Sequence, residues 1–109
     1  MDHINKKIIK YNSIMRVEIK PSTNKSKKYM AIFYEGDKKI KTIHFGSAGM
    51  SDFTKNKDEE RKQRYLDRHR KNENWNDKFS AGSLSRWILW NKPTLTASIA
   101  NYKSRFNLK

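Results

Sequence analysis

Between Met15 and Lys20 apolar and polar residues alternate, with Met15, Val17 and Ile19 on one side and Arg16, Glu18 and Lys20 on the other. A period of two is that of a half-buried strand. Pro21 closes it, and the small polar residues that follow predict an exposed loop. "YMAIFY" (29–34) predicts a second strand, apolar on both sides, and "KIKTIHF" (39–45) a third, rich in β-branched residues. The Gly-containing "EGDK" between them supplies a tight turn, so the three strands read as an antiparallel meander.

Two of the four glycines fall in "GSAGMSDFT" (46–54), which ends the sheet. The period then lengthens, and a helix is predicted over 56–71. Asp58, Glu59 and Glu60 stand in its first turn and Arg68, Arg70 and Lys71 in its last, the order that complements a helix dipole. Its apolar stripe is only Tyr65, Leu66 and the ring of His69, so it should dock by one narrow edge. Residues 72–82 form a connector anchored by Trp75. Ser83 is the expected cap of a short helix carrying Leu84, Trp87, Ile88 and Trp90, which Pro93 stops. Beyond it Leu95, Ile99, Tyr102 and Phe106 recur at helical steps. The predicted fold is α+β: a small three-stranded antiparallel sheet followed by, and packed against, two to three helices. Residues 14–109 make one domain, with 1–13 as a flexible basic N-terminal segment.

Composition sharpens this picture. A chain of 109 residues suits one core, and three Trp, five Tyr and five Phe supply large apolar surfaces although only 35% of residues are apolar. No apolar run reaches the roughly 18 residues of a membrane span, and Met1–Tyr11 lacks the apolar stretch of a secretory signal, so no membrane partner is expected. With no Cys, disulfides and thiolate metal sites are excluded. The formal charge is +14, and basic residues exceed acidic ones in every part of the chain; after Asp77 there is no acidic residue at all. A body that is positive throughout attracts polyanions, nucleic acid first among them.

The candidate contacts follow from spacing. Arg61, Arg64 and Arg68 lie at steps of three and four and line one helix face; Lys62, Arg70 and Lys71 widen the ridge. Such a ridge can track a phosphate backbone, or it can be a solvated face whose arginines pair with Glu60, Asp67 or Asp58. Lys25, Lys27 and Lys28 would assist from the first loop, and Arg86 and Lys92 flank the Trp87–Trp90 pair. His69 can meet a phosphate or stack between helix and sheet. The "FGSAG" loop can bring backbone N–H groups to a phosphate or simply turn the chain out of the sheet. Asp52 and Thr54 are placed to bond nearby backbone N–H groups. Trp87 and Trp90 are expected in the core, with an exposed stacking platform as the alternative. Consecutive acids on a helix diverge, and the three His show no ligand spacing, so neither catalytic nor metal residues nor a cofactor is expected.

Three stretches carry a resemblance: "HFGSAGMSDFT" (44–54), "RKQRYLDRHRKNENW" (61–75) and "AGSLSRWILWNKPTL" (81–95). Together they resemble a short uncharacterised domain that recurs in nucleocytoplasmic large DNA viruses. The matching positions are His44, Phe45, Gly46, Gly49, Asp52, Thr54, Arg68, His69, Glu73, Trp75, Gly82, Arg86, Trp87 and the run Leu89–Pro93. The resemblance implies a viral origin, a role in the virion or late in infection, and residence in the virion or in the host cytoplasm or nucleus at viral factories; it implies no reaction. The expected function is sequence-independent binding of viral DNA, in genome condensation or packaging. The competing expectation is a minor structural protein of the virion that works through contacts with other virion proteins.

Overall fold

Val17, Ala31, Phe33 and Phe45 are buried together because alternation puts them all on one face of a twisted sheet. The structure, a computed structural model, describes residues 15–109; the segment 1–13 lies outside the described residues. Strands β1 (Met15–Pro21), β2 (Lys27–Glu35) and β3 (Lys38–Ser47) pair antiparallel in the order β1-β2-β3, with Val17 opposite Phe33 and Tyr29 opposite Phe45. Gly36, at φ 63°, makes the two-residue turn between β2 and β3. A bulge between Phe33 and Tyr34 shifts the register along β3, so that Phe33 faces Lys41 and Tyr34 faces Lys39.

The apolar character of both sides of β2 has a separate cause on each face. On the outer face Ile32 is buried, with Glu18 and Thr42 as its cross-strand neighbours. Alongside, the Arg16 guanidinium lies 3.9 Å from the centre of the Tyr34 ring, and the Tyr34 hydroxyl donates to Glu18 at 3.1 Å. That hydrogen bond, followed by the neighbouring Lys20 and Arg16 charges, holds the Glu18 carboxyl below its ordinary range.

Four helical segments follow: α1 (Phe53–Asn56), α2 (Glu59–His69), α3 (Ala81–Leu84) and α4 (Leu95–Arg105), with a π-helical turn at Ser85–Leu89 continuing α3. The expected helix over 56–71 is α2, shorter at both ends, with Asn56 belonging to α1. Lys57 adopts a left-handed conformation, φ 51°, that breaks the run, and Asp58 becomes the cap of α2, accepting from the Arg61 N–H. The cap of α3 is likewise Ser80, which accepts from the Ser83 N–H. Ser83, the residue expected there, is buried and donates to the Asn74 carbonyl at 2.9 Å. The third run ends earlier than expected, at Leu89, where Trp90 leaves helical geometry; beyond Pro93, Thr94 caps α4, and the buried Ser98 hydroxyl closes the bend by accepting from the Lys92 N–H.

Leu84, Ile88 and Leu89 cover the sheet, and α4 packs on the helical unit behind them, so the cover is two elements deep. Phe79 reaches the sheet by an edge-on contact with Phe33, centroids 4.9 Å apart. Tyr102 is fully buried, and its hydroxyl donates to the Lys78 carbonyl at 2.6 Å. At the other edge the backbone of Lys109 pairs with β1, donating to Met15 and accepting from Val17.

Burial, with a smaller contribution from Asp77, raises the Tyr102 pKa above its ordinary 10.0. An acid whose pKa is raised by folding contributes stability that is complete below pH ~10 and is lost as the pH climbs toward the folded value. Tyr102→Phe should cost about 1 kcal/mol at pH 7, for the missing hydrogen bond, and this deficit should shrink steadily above pH 10. Urea midpoints of the two proteins between pH 7 and 11 measure both effects.

Candidate functional site

The sheet hands the chain to the helices at Gly46, and the close approach there begins the site. With φ at 78°, a Cβ on Gly46 would lie 2.7 Å from Leu89 Cδ1, so only glycine lets β3 pass this near the helical cover. A second glycine, Gly49 at φ 85°, turns the chain back, and Asp52 then caps α1 by accepting from the Thr54 N–H at 2.9 Å. The capping reading of "SDFT" is what the structure shows. Asp52 is also 1% exposed, and its second oxygen takes the Lys28 ammonium in an ion pair. Lys28, expected in a loop, stands in β2 with a side chain only 11% exposed, its charge held by that carboxylate.

The opposite wall is α2 and its exit. Tyr65 stacks on Trp90, centroids 4.6 Å apart and planes 9° from parallel, and His69 also stacks on Tyr65, at 4.2 Å. Burial, then the Glu73 charge, drives the Tyr65 hydroxyl pKa well up. Glu73 binds two donors at once: His69 Nδ1 at 3.2 Å and the Trp75 indole N–H at 2.8 Å. Gly82 makes room for it, since a Cβ at that position would sit 2.7 Å from the Glu73 carboxyl carbon. His69 Nε2 has no hydrogen-bond partner among the described residues.

These walls enclose a cavity of about 320 Å³ that Lys27, Lys28, Arg68 and His69 share. Trp90 and Tyr65 contribute its apolar surface over a floor of buried Phe45 and Leu89, and Ser47, Ser51 and Ser85 its hydroxyls. Its two carboxylates are already engaged, Asp52 by Lys28 and Glu73 by His69 and Trp75. The arrangement suits an anion with an apolar part: cations at the rim, flat hydrophobic surface within.

The remaining cations expected at an interface divide into two groups. Lys25, Arg61, Lys71 and Lys92 are exposed, as are Arg64 and Arg70, whose loose pairs with Glu60 (3.9 Å) and Asp67 (3.8 Å) are solvated. Lys62 and Arg86 instead serve the fold. The Lys62 ammonium donates to the Asn91 carbonyl at 2.8 Å and lies 4.7 Å from the centre of the Phe53 ring. Arg86 donates to the Trp90 carbonyl at 2.8 Å and lies over Trp87, while its buried Nε has no partner among the described residues. Burial, then the neighbouring Arg105 charge, lowers its pKa. Of the two tryptophans, Trp90 is core and Trp87 is half-buried, with the Arg105 guanidinium 3.5 Å from its ring centre. The sequence pointed to neither Arg105 nor Lys55 as a cation to watch.

Residues 17–69 match the model of DUF5754, a family of unknown function. The DUF5754 match runs from the first buried residue of β1 to the end of α2, so it spans nearly the whole sheet, the Lys28–Asp52 pair and the basic wall of the cavity. It stops at His69, and the other wall, from Glu73 to Trp90, lies beyond it. Neither the curated proteins nor the solved structures give a match to the chain. Among the described residues no group of His, Asp and Glu is placed to hold a metal ion, and no helix is long and apolar enough to cross a membrane.

Two substitutions probe the walls. Lys28→Met strands a buried carboxylate and should cost about 3–5 kcal/mol, read from the denaturant midpoint. Gly82→Ala should leave the fold within about 1 kcal/mol of the parent, because the helix propensity of alanine offsets the loosened carboxylate. It should nevertheless displace Glu73, shifting the Trp75 indole N–H and His69 ring resonances together in the NMR spectrum. A spectrum unchanged at both would show that Glu73 is not held against Gly82.

Proposed function

We propose that the protein binds nucleic acid without sequence preference, as a DNA-condensing or packaging protein of a large DNA virus. The observation that supports this reading is that exposed cations from two separate segments meet at one cavity, Lys27 from the start of β2 and Arg68 from the end of α2, while Lys28 and His69 beside them are held by Asp52 and Glu73. Separate in sequence, they frame an apolar pocket with charge at its mouth, and the exposed row Arg61, Arg64 and Arg68 extends that charge along the helix. Phosphates would meet the row and the rim, and each contact would release condensed counterions. Viral origin rests on the motif resemblance, whose positions cluster in space: Phe45, Gly46, Asp52, Arg68, His69, Glu73, Gly82, Leu89 and Trp90 all line the same cavity.

Fluorescence anisotropy with labelled DNA over about 50 to 300 mM salt tests the proposal. Binding should fall steeply with salt and vary little with sequence. The triple variant Arg61→Ala/Arg64→Ala/Arg68→Ala should flatten the log–log slope by about 0.7–0.9 for each phosphate that the variant no longer neutralises. Lys38→Ala/Lys39→Ala, which removes two charges at the far end of the sheet, should leave the slope unchanged. Binding that is insensitive to salt, or equally weakened by both variants, would overturn the reading.

A further inference from the structure

The cavity just described has a neighbour. A second, more open cavity of about 600 Å³ lies on the other side of the Met50–Ser51 segment, and Lys28, Met50 and Ser51 belong to the walls of both. Met50 is the most exposed large apolar side chain among the described residues, at 60%. Its position is fixed by the backbone: Gly49 supplies the left-handed turn, and the Met50 N–H donates to the Ser47 carbonyl at 3.3 Å. An exposed thioether chain thus stands as a divider between two recesses. Each recess has an aromatic lining, half-buried Tyr29 in the larger and half-buried His69 beside Trp90 in the smaller. Each also has cations toward its outer side, Lys55 in the larger and Lys27 and Arg68 in the smaller.

We infer that this double recess is a binding site for single-stranded nucleic acid, with Met50 inserted between two successive bases. The inference rests on the nucleic-acid reading above and goes further, naming the form of the ligand and the residue that selects it. A duplex keeps its base faces stacked inward, whereas a single strand can turn adjacent bases into separate pockets against aromatic surfaces. Adjacent stacked bases are about 3.4 Å apart, and one aliphatic layer between them roughly doubles that step. A flexible, polarizable methionine suits such a wedge because it conforms to either base face. Lys55 on one side and Lys27 with Arg68 on the other then take the flanking phosphates, so the cations follow the strand across the divider. Base identity matters little, because every base offers a π-face.

The test uses a short single-stranded DNA with an internal 2-aminopurine among adenines, a probe that brightens when its base is unstacked, and the blunt duplex of the same sequence. At about 100 mM salt the single strand should bind about tenfold more tightly than the duplex, and its fluorescence should rise several-fold on binding. Met50→Ala, exposed and without a side-chain role in the core, should keep the parent's circular dichroism and its salt slope but lose more than half of the fluorescence rise. Equal or tighter binding of duplex, or an undiminished rise with Met50→Ala, would overturn the inference while leaving the polyanion reading intact. Absence of binding by either DNA at about 50 mM salt would overturn that reading itself, and this inference with it.

Discussion

The face-to-face stack of Tyr65 on Trp90 joins the two halves of the molecule. Helix α2 is so polar that Tyr65 and Leu66 are its buried residues, and without the stack little that is apolar would hold the helix to the body. Trp90 is available as a partner because the π-helical turn at Ser85–Leu89, followed by a break at Trp90, directs Ile88, Leu89, Trp90 and Asn91 inward in succession. An unbroken α-helix would spread four consecutive residues around its circumference. Aromatic stacking of this kind adds about 0.5–1.5 kcal/mol beyond area burial, a large share for a helix with so narrow a stripe. The position of Arg68 and His69 at the cavity, and with it the basic wall, follows from that one joint.

Much of this fold was legible in local pattern. Alternation located β1, a short apolar run β2 and a β-branched run β3, and the recurrence of Leu95, Ile99, Tyr102 and Phe106 located α4. Boundaries set by one residue's conformation were not legible: nothing in "NKDEE" announces that Lys57 turns left-handed, and Ser80 and Ser83 are equally good caps by type. The site was half legible. Exposed cations could be named from spacing, but Lys28, Lys62 and Arg86 were mistaken for surface charge. Their partners, Asp52, the Asn91 carbonyl and the Trp90 carbonyl with Trp87, are supplied by tertiary contact, to which periodicity is blind. Glu73 stood out only as part of a motif, and its role as a clamp on His69 and Trp75 depends on Gly82 lying beside it in space.

A distinction between charge carried and charge offered follows. Lys28 is cancelled by a buried carboxylate, whereas Arg61 and Arg68 reach solvent with no ion pair among the described residues. A count of lysines and arginines therefore overstates the charge that can reach a ligand.

The guanidiniums around Trp87 draw out a last consequence. Arg86 and Arg105 lie 4.1 and 3.5 Å from its ring centre in a region of the chain that has no acidic residue. A carboxylate would hold an arginine in place by neutralising it. The indole holds it through a quadrupole, whose field dies away much faster with distance than that of an ion. Seen from a few nanometres away, such an arginine is immobilised yet still a full positive charge. The protein thereby orders part of its C-terminal half without neutralising the charge that half carries.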